Sequence, residues 1–335
     1  MAHRDLFAPT WGKLFDLPHR GDYTYFRGGS ANFLRRYADL GPDRRFRSAA
    51  AFAAEASMLA YQRWGDDVMP DADFFGVWDG FDVHCLATGG PTGTAGYFTA
   101  CDDFAFLVFR GTEHDDPRDF ATDSAFLPVA EPGDAFPALA LQAWLTPGMK
   151  VHMGFQTAID SVWAEVFGLL AAYRARHPSS EILFTGHSLG SALATLALSR
   201  FDGSNVSLYT FGSPRVGNDA FAGQLDAKAD LGIYRFVNRN DLVTHVPPED
   251  FGYRHTRPWM YHIDDEWEIR QLEEAPVSDW RELADFLAAM KRGGIRLDPN
   301  EEVPACLLDH SPVRYTARLW DWMDRGTTPP PGIDS

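Results

Sequence analysis

Hydrophobic positions along the chain follow two rhythms. In SAAAFAAEASMLAYQRW, residues 48–64, apolar side chains recur at helical spacing, which predicts an amphipathic helix. FFGVWDGFDVHCLATGG and GYFTACDDFAFLVFRG are instead rich in aromatic and β-branched residues and parted by turn formers, which predicts neighbouring strands. After residue 150 the rhythms alternate: helix GFQTAIDSVWAEVFGLLAAYRAR, strand EILFTG, helix SALATLALSRF, strand NVSLYTFGS, helix NDAFAGQLDAKAD, strand GIYRFVN. Such alternation predicts an α/β fold, a mostly parallel central sheet with helices on both faces. Functional residues of such a sheet collect at the carboxyl ends of its strands.

The ends break the pattern. Residues 1–47 read as an irregular N-terminal arm and 326–335 as a flexible tail, flanking a single domain within 1–335. Two apolar inserts stand outside the alternation, AFPALALQAWL (135–145) and WRELADFLAAMKRGGI (280–295). At 335 residues and 45% hydrophobic, the chain is long and apolar enough to bury a sizeable core.

Charge narrows the function classes. A net charge of −17 repels phosphate backbones at long range and argues against a nucleic-acid partner. No run approaches the roughly 18–20 apolar residues of a membrane span, and MAHRDLFAPTWGKLFDL lacks the unbroken apolar core of a signal peptide, so a cytoplasmic location is expected. Three cysteines, Cys85, Cys101 and Cys306, are too few and scattered for a disulfide framework or a zinc site. A hairpin turning near residue 93 would set Cys85 opposite Cys101, which leaves open whether those two pair. The glycines of GGPTGTAG are not followed by a Lys-Ser/Thr pair or a helix, so they read as that hairpin's turn rather than a phosphate loop.

The stretch EILFTGHSLGSALATLALSRF concentrates the chemistry. It places Ser188 at a strand-to-helix junction between Gly186 and Gly190, the pattern G-x-S-x-G. A serine hydroxyl is a poor nucleophile in water; it needs a base and donors for the oxyanion. A sharp turn presents the hydroxyl, and the two glycines remove side chains the turn would crowd. The following helix offers free N–H groups and a positive dipole end, and the backbone N–H of Leu189 is one oxyanion donor.

In their order, the segments FLVFRGTEHDDPRDFATD, KVHMGF, FTGHSLGSALATLAL, YTFGSPRVGNDAF, RFVNRNDLVTHVPP and LLDHSPVRY resemble the class 3, fungal-type lipases of the α/β-hydrolase superfamily. The resemblance is strong from about residue 105 to 250, returns around His310 and is faint before residue 48. It implies ester hydrolysis through a Ser, Asp, His triad, with Thr112 as second oxyanion donor and a lid over an acyl pocket in 113–147. Phe120, Phe126, Leu139, Leu141 and Trp144 are the side chains that would line that pocket; a packed surface helix is the equal alternative.

For the acid, Asp241 follows the strand IYRFVN and lies downstream of the serine, whereas its competitor Asp219 sits at a helix start, where it or Asn218 would cap. The resemblance also places the acid at Asp241. Four histidines follow it. His245 belongs to the same turn, and His255 and His262 sit in or beside strand material. His310 lies on a loop before the helix-like SPVRYTARLWDWM, and the resembling family's Asp-His followed by Tyr is matched by Asp309, His310 and Tyr315. His310 is therefore the expected base, held in its tautomer by Asp241.

These parts imply a serine carboxylic-ester hydrolase, a lipase or esterase acting on acylglycerols or similar neutral esters, with transient contact to a lipid interface and no metal or organic cofactor. Phospholipase A1 action is the nearest alternative. A non-catalytic lipid-binding or interaction protein is the alternative of another class, and a complete set of catalytic parts stands against it.

Overall fold

The computed structural model describes residues 41–61, 81–86, 92–111, 141–143, 148–226, 228–273 and 308–325. In chain order these carry α1 (Pro42–Leu59), β1 (Asp82–Leu86), β2 (Gly96–Ala100), β3 (Phe104–Phe109), β4 (Leu141–Ala143), β5 (Lys150–His152), α2 (Met153–Arg176), β6 (Glu181–His187), α3 (Leu189–Arg200), β7 (Val206–Phe211), α4 (Asp219–Asp226), β8 (Gly232–Asn238), β9 (Met260–Ile263), β10 (Ile269–Leu272) and α5 (Pro312–Arg325). One sheet runs β1-β2-β3-β6-β7-β8-β9-β10, with β4 and β5 as a separate pair. From β3 to β9 the neighbours are parallel, while β1, β2 and β10 are antiparallel at the edges.

The centre of the sheet is covered on both sides. Phe106, Val108, Leu183, Tyr209 and Phe236 pack with α1 and α5, whereas Leu107, Phe109, Phe184, Leu208 and Ile233 pack with α2 and α3. Successive side chains of a strand point to opposite faces, so burying both faces demands an unbroken apolar run, and all six residues of β3 are buried.

Helix α1 starts six residues earlier than expected. Gly41 precedes it, Pro42 sits where its missing N–H is harmless, and Phe46 and Arg47 are buried, so residues 42–47 are helix rather than arm. The charges of PDRRFR mask this in the sequence. The Arg47 guanidinium lies 4.5 Å over the Trp322 ring and donates to the Trp322 carbonyl, so its apolar stem packs while its charge is satisfied. Along the same seam Phe52 meets Trp320 at 5.2 Å, and the Trp320 indole N–H donates to buried Glu55 at 3.1 Å.

The β1–β2 hairpin forms, but its register sets Cys85 against Tyr97, and Cys101 falls four residues beyond. Both are free thiols, and burial pushes the Cys85 thiol up to about 11, an unreactive state. Helix α4 ends at Asp226, shorter than expected, and Asn218 rather than Asp219 caps it by accepting from the Phe221 amide.

Candidate active site

Four strand ends meet at one edge of the sheet: β3, β6, β7 and β8. Ser188, directly after β6, has φ 59° and ψ −129°, a backbone state that L-residues rarely adopt and that costs about 1–3 kcal/mol. The surroundings hold it there. The Ser188 amide donates to the Phe211 carbonyl at 3.0 Å, and the Ser188 carbonyl accepts from the Ser191 amide at 3.0 Å. Ser191 Oγ donates to the Gly186 carbonyl at 2.6 Å and accepts from the Phe211 amide at 3.2 Å. A Cβ on Gly186 would stand 2.2 Å from the Gly190 carbonyl carbon, and one on Gly190 would stand 2.2 Å from the Phe109 oxygen. Both glycines of the motif are thus required by close approach of backbone to backbone.

Asp241 and His310 come together from loops 69 residues apart. His310 Nδ1 lies 2.9 Å from both Oδ1 and Oδ2 of Asp241. Asp241 is fully buried, and its carboxylate also accepts from the Val243 amide at 3.0 Å and the Tyr315 hydroxyl at 2.6 Å. Three donors converging on one buried carboxylate fix its orientation. Tyr315 is itself pinned, its hydroxyl accepting from the Asn238 amide at 2.9 Å. A carboxylate beside Nδ1 keeps the proton on that nitrogen and leaves Nε2 of neutral imidazole as the basic one.

Ser188 joins this pair through short backbone links. Gly212 follows the Phe211 carbonyl that receives the Ser188 amide, and a Cβ on it would stand 2.6 Å from Asp241 Oδ2 and 2.9 Å from His310 Nδ1. His187, next to the serine, contacts the His310 carbonyl through Nε2 at 2.6 Å. The three residues expected to act together therefore share one neighbourhood, and Ser188 and His310 are both buried, at 4% and 1% exposure.

The competing residues are occupied elsewhere. His255 Nε2 contacts the Thr244 carbonyl at 2.8 Å and His262 Nε2 the Arg239 carbonyl at 3.0 Å, which are structural hydrogen bonds. His245 ends the short 3-10 turn that Asp241 caps, and Asp219 is exposed and paired with Arg254. Asp309, adjacent to His310, is buried among Arg239 and Arg314, which anchor the loop. Burial raises the Asp309 carboxyl, and the nearby guanidiniums oppose that shift. Leu189 opens α3 directly after the serine. Thr112 lies outside the described residues, but Gly111 before it is tight against the elbow: a Cβ there would be 2.8 Å from the His187 carbonyl oxygen. Phe120, Phe126, Leu139 and Trp144 also lie outside the described residues; Leu141 opens β4.

Sequence reasoning missed His187 and Tyr61, whose hydroxyl contacts His187 Nδ1 at 2.8 Å. His187 is the variable position of G-x-S-x-G, where no rule assigns a role. Tyr61 is 126 residues away with no periodicity to tie it to the site.

Comparison with known proteins agrees with this geometry. The family model described as "Lipase (class 3)" matches residues 106–251. A secreted mono- and diacylglycerol lipase 1 from Fusarium solani is 43% identical over 120 residues, which is 35% of this chain and 36% of that protein. The chain spans only about a third of the length of the first curated relatives it matches. Among solved structures, a lipase from Rhizopus microsporus var. chinensis superposes with a TM-score of 0.51 at 26% identity, covering 78% of this chain and 84% of its own. A triacylglycerol lipase whose catalytic centre is formed by a serine protease triad gives 0.52 at 26% identity, covering 72% and 90%. The expectation of a cytoplasmic location is overturned: the Fusarium relative is named as secreted, which points to an extracellular place. No helix among the described residues is long and apolar enough to cross a membrane. With a G-x-S-x-G elbow on a parallel sheet and a buried Asp–His pair beside it, the chain has the α/β-hydrolase fold, and within residues 106–251 it is similar to the class 3 lipases.

Proposed function

We propose that the chain is a serine carboxylic-ester hydrolase acting on acylglycerols or similar neutral esters. The observation that carries this reading is the His310 imidazole held at 2.9 Å by both oxygens of buried Asp241, beside a serine in a strained elbow. In this reading His310 Nε2 takes the proton of Ser188 as its oxygen attacks the ester carbonyl. The oxyanion is held by the N–H of Leu189 and by Thr112. The imidazolium, stabilised by Asp241, then protonates the leaving alcohol. A water deprotonated by His310 attacks the acyl-enzyme, releases the acid and restores the serine. No metal or organic cofactor enters any of these steps.

Burial of both Ser188 and His310 supports a covered site that must open for an acyl chain. The residues of 113–147, with Phe120, Phe126, Leu139, Leu141 and Trp144, are the proposed cover and acyl lining. An eight-stranded sheet that takes in every described strand but β4 and β5 supports reading 1–335 as one domain. The test is turnover of p-nitrophenyl esters of increasing acyl length, of tributyrin and of phospholipid vesicles. Hydrolysis of neutral esters that Ser188→Ala abolishes supports the reading. A preference for phospholipid acyl bonds would move it to phospholipase A1, and lipid binding without turnover would overturn it.

A further inference from the structure

Beyond the triad, the structure carries a polar bridge that crosses it. The Nε2 atom of His187 lies 2.6 Å from the backbone carbonyl of His310, an acceptor only, so Nε2 bears the hydrogen. Its other nitrogen, Nδ1, is then the acceptor for the Tyr61 hydroxyl at 2.8 Å. Both side chains are buried, His187 at 1% and Tyr61 at 5% exposure. The His187 ring is flanked by His310 at 4.5 Å and by Tyr315 at 5.7 Å, and Tyr61 meets it edge-on at 5.6 Å. A Cβ on Gly111 would come 1.9 Å from the Tyr61 hydroxyl, so that hydroxyl also touches the backbone just before Thr112.

We infer that Tyr61 and His187 are positioning residues: the Tyr61 hydroxyl orients the His187 imidazole, which in turn fixes the His310 main chain relative to Ser188. The inference rests on the triad reading above. Its physical content is geometric. The side chain of His310 is held by Asp241, but its backbone sits on a loop between residues 308 and 312, and the His187 N–H is a direct bond from the nucleophile's own turn to that loop. Because His187 adjoins Ser188 in the chain, displacement of the serine elbow and of the base are coupled. Tyr61, outside the residues 106–251 that match the family model, supplies the remote end of the bridge from the turn after α1.

The experiment uses the full chain, a soluble p-nitrophenyl ester and a fluorophosphonate probe. Tyr61→Phe removes one oxygen and keeps the ring. It is expected to lower kcat and the rate of fluorophosphonate labelling by about 10- to 100-fold, with KM altered by no more than about twofold, since misplacing reacting groups slows chemistry rather than binding. His187→Gln retains an N–H at a similar reach, so it should keep much more kcat than His187→Leu. Folded Tyr61→Phe protein with parental kcat and labelling rate would overturn the inference, as would equal kcat in the Gln and Leu variants. If Tyr61→Phe fails to fold, the Gln–Leu comparison decides alone. Ser188→Ala separates the levels: its loss of turnover with an unaffected Tyr61→Phe defeats the bridge only, whereas persistent turnover in Ser188→Ala defeats the triad reading and the bridge with it.

Discussion

At the residue scale the site depends on atoms that have no room to move. Gly190→Ala would drive a methyl group to 2.2 Å from the Phe109 carbonyl oxygen, backbone against backbone. It should destabilise the fold by about 1–3 kcal/mol, read from urea unfolding, and reduce turnover further by displacing β3 from the elbow. A variant as stable and active as the parent would show that the elbow is less tightly packed than described. Ser188→Ala and His310→Ala should each lower kcat roughly 10⁴-fold or more with folding intact, because triad members act as a unit. Tyr315→Phe removes the 2.6 Å hydrogen bond to Asp241 and leaves that buried carboxylate one donor short. A kcat loss of about tenfold, smaller than for the triad members, is expected in steady-state assays, since the His310 and Val243 contacts remain.

At the scale of elements, the seam between α1 and α5 supports the sheet face opposite α2 and α3. Trp320 is fully buried there, with its indole N–H bonded to Glu55. Trp320→Ala should cost about 3–5 kcal/mol from the cavity, with more from the stranded Glu55 carboxylate, and calorimetry would show a single transition moved to lower temperature. Most of the elements were legible in the sequence because the apolar-rich strands β6 and β7 are each followed by a helix with its own period. The start of α1 was not, because the charges of PDRRFR outweigh Phe46 in a pattern reading, and Arg47 is buried by stacking on a tryptophan 275 residues away. The candidate residues Ser188, Asp241 and His310 were legible because G-x-S-x-G, the chain order and the Asp-His-Tyr spacing each carry local information. Tyr61 and His187 were not, because their roles arise only from contacts across 126 and 123 residues.

At the scale of the whole molecule, burial sets both access and acid sensitivity. If the residues of 113–147 close over the site, opening exposes apolar surface at about 25 cal/mol per Å², a cost that a lipid surface removes. Tributyrin turnover should then rise sharply past the solubility limit, and Trp144→Ser should blunt the rise while sparing soluble esters. Simple saturation through that limit would mark the protein as an esterase. Burial, with the nearby His310 adding to it, holds the His187 imidazole well below its ordinary titration range, whereas the unfolded chain takes up that proton near about 6.5. Between those values the unfolded state binds one proton more, so stability falls as pH falls, by up to about 1.4 kcal/mol per pH unit. Urea melts from pH 7.5 down to 5 should show this slope, and His187→Gln should flatten it; parallel slopes in both proteins would refute the assignment. The pairing of α1 with α5 also bears on how the protein is made. His310 and Tyr315 are among the last described residues to leave the ribosome, while α1 and the serine elbow emerge far earlier, so in the proposed reading the nucleophile is built long before its base arrives. A chain still being synthesised should therefore be chemically silent towards the lipids of the cell that makes it, its reactivity switched on only when α5 docks. Stalled nascent chains ending near residue 305 should resist fluorophosphonate labelling, and chains extended past residue 325 and clear of the exit tunnel should acquire it.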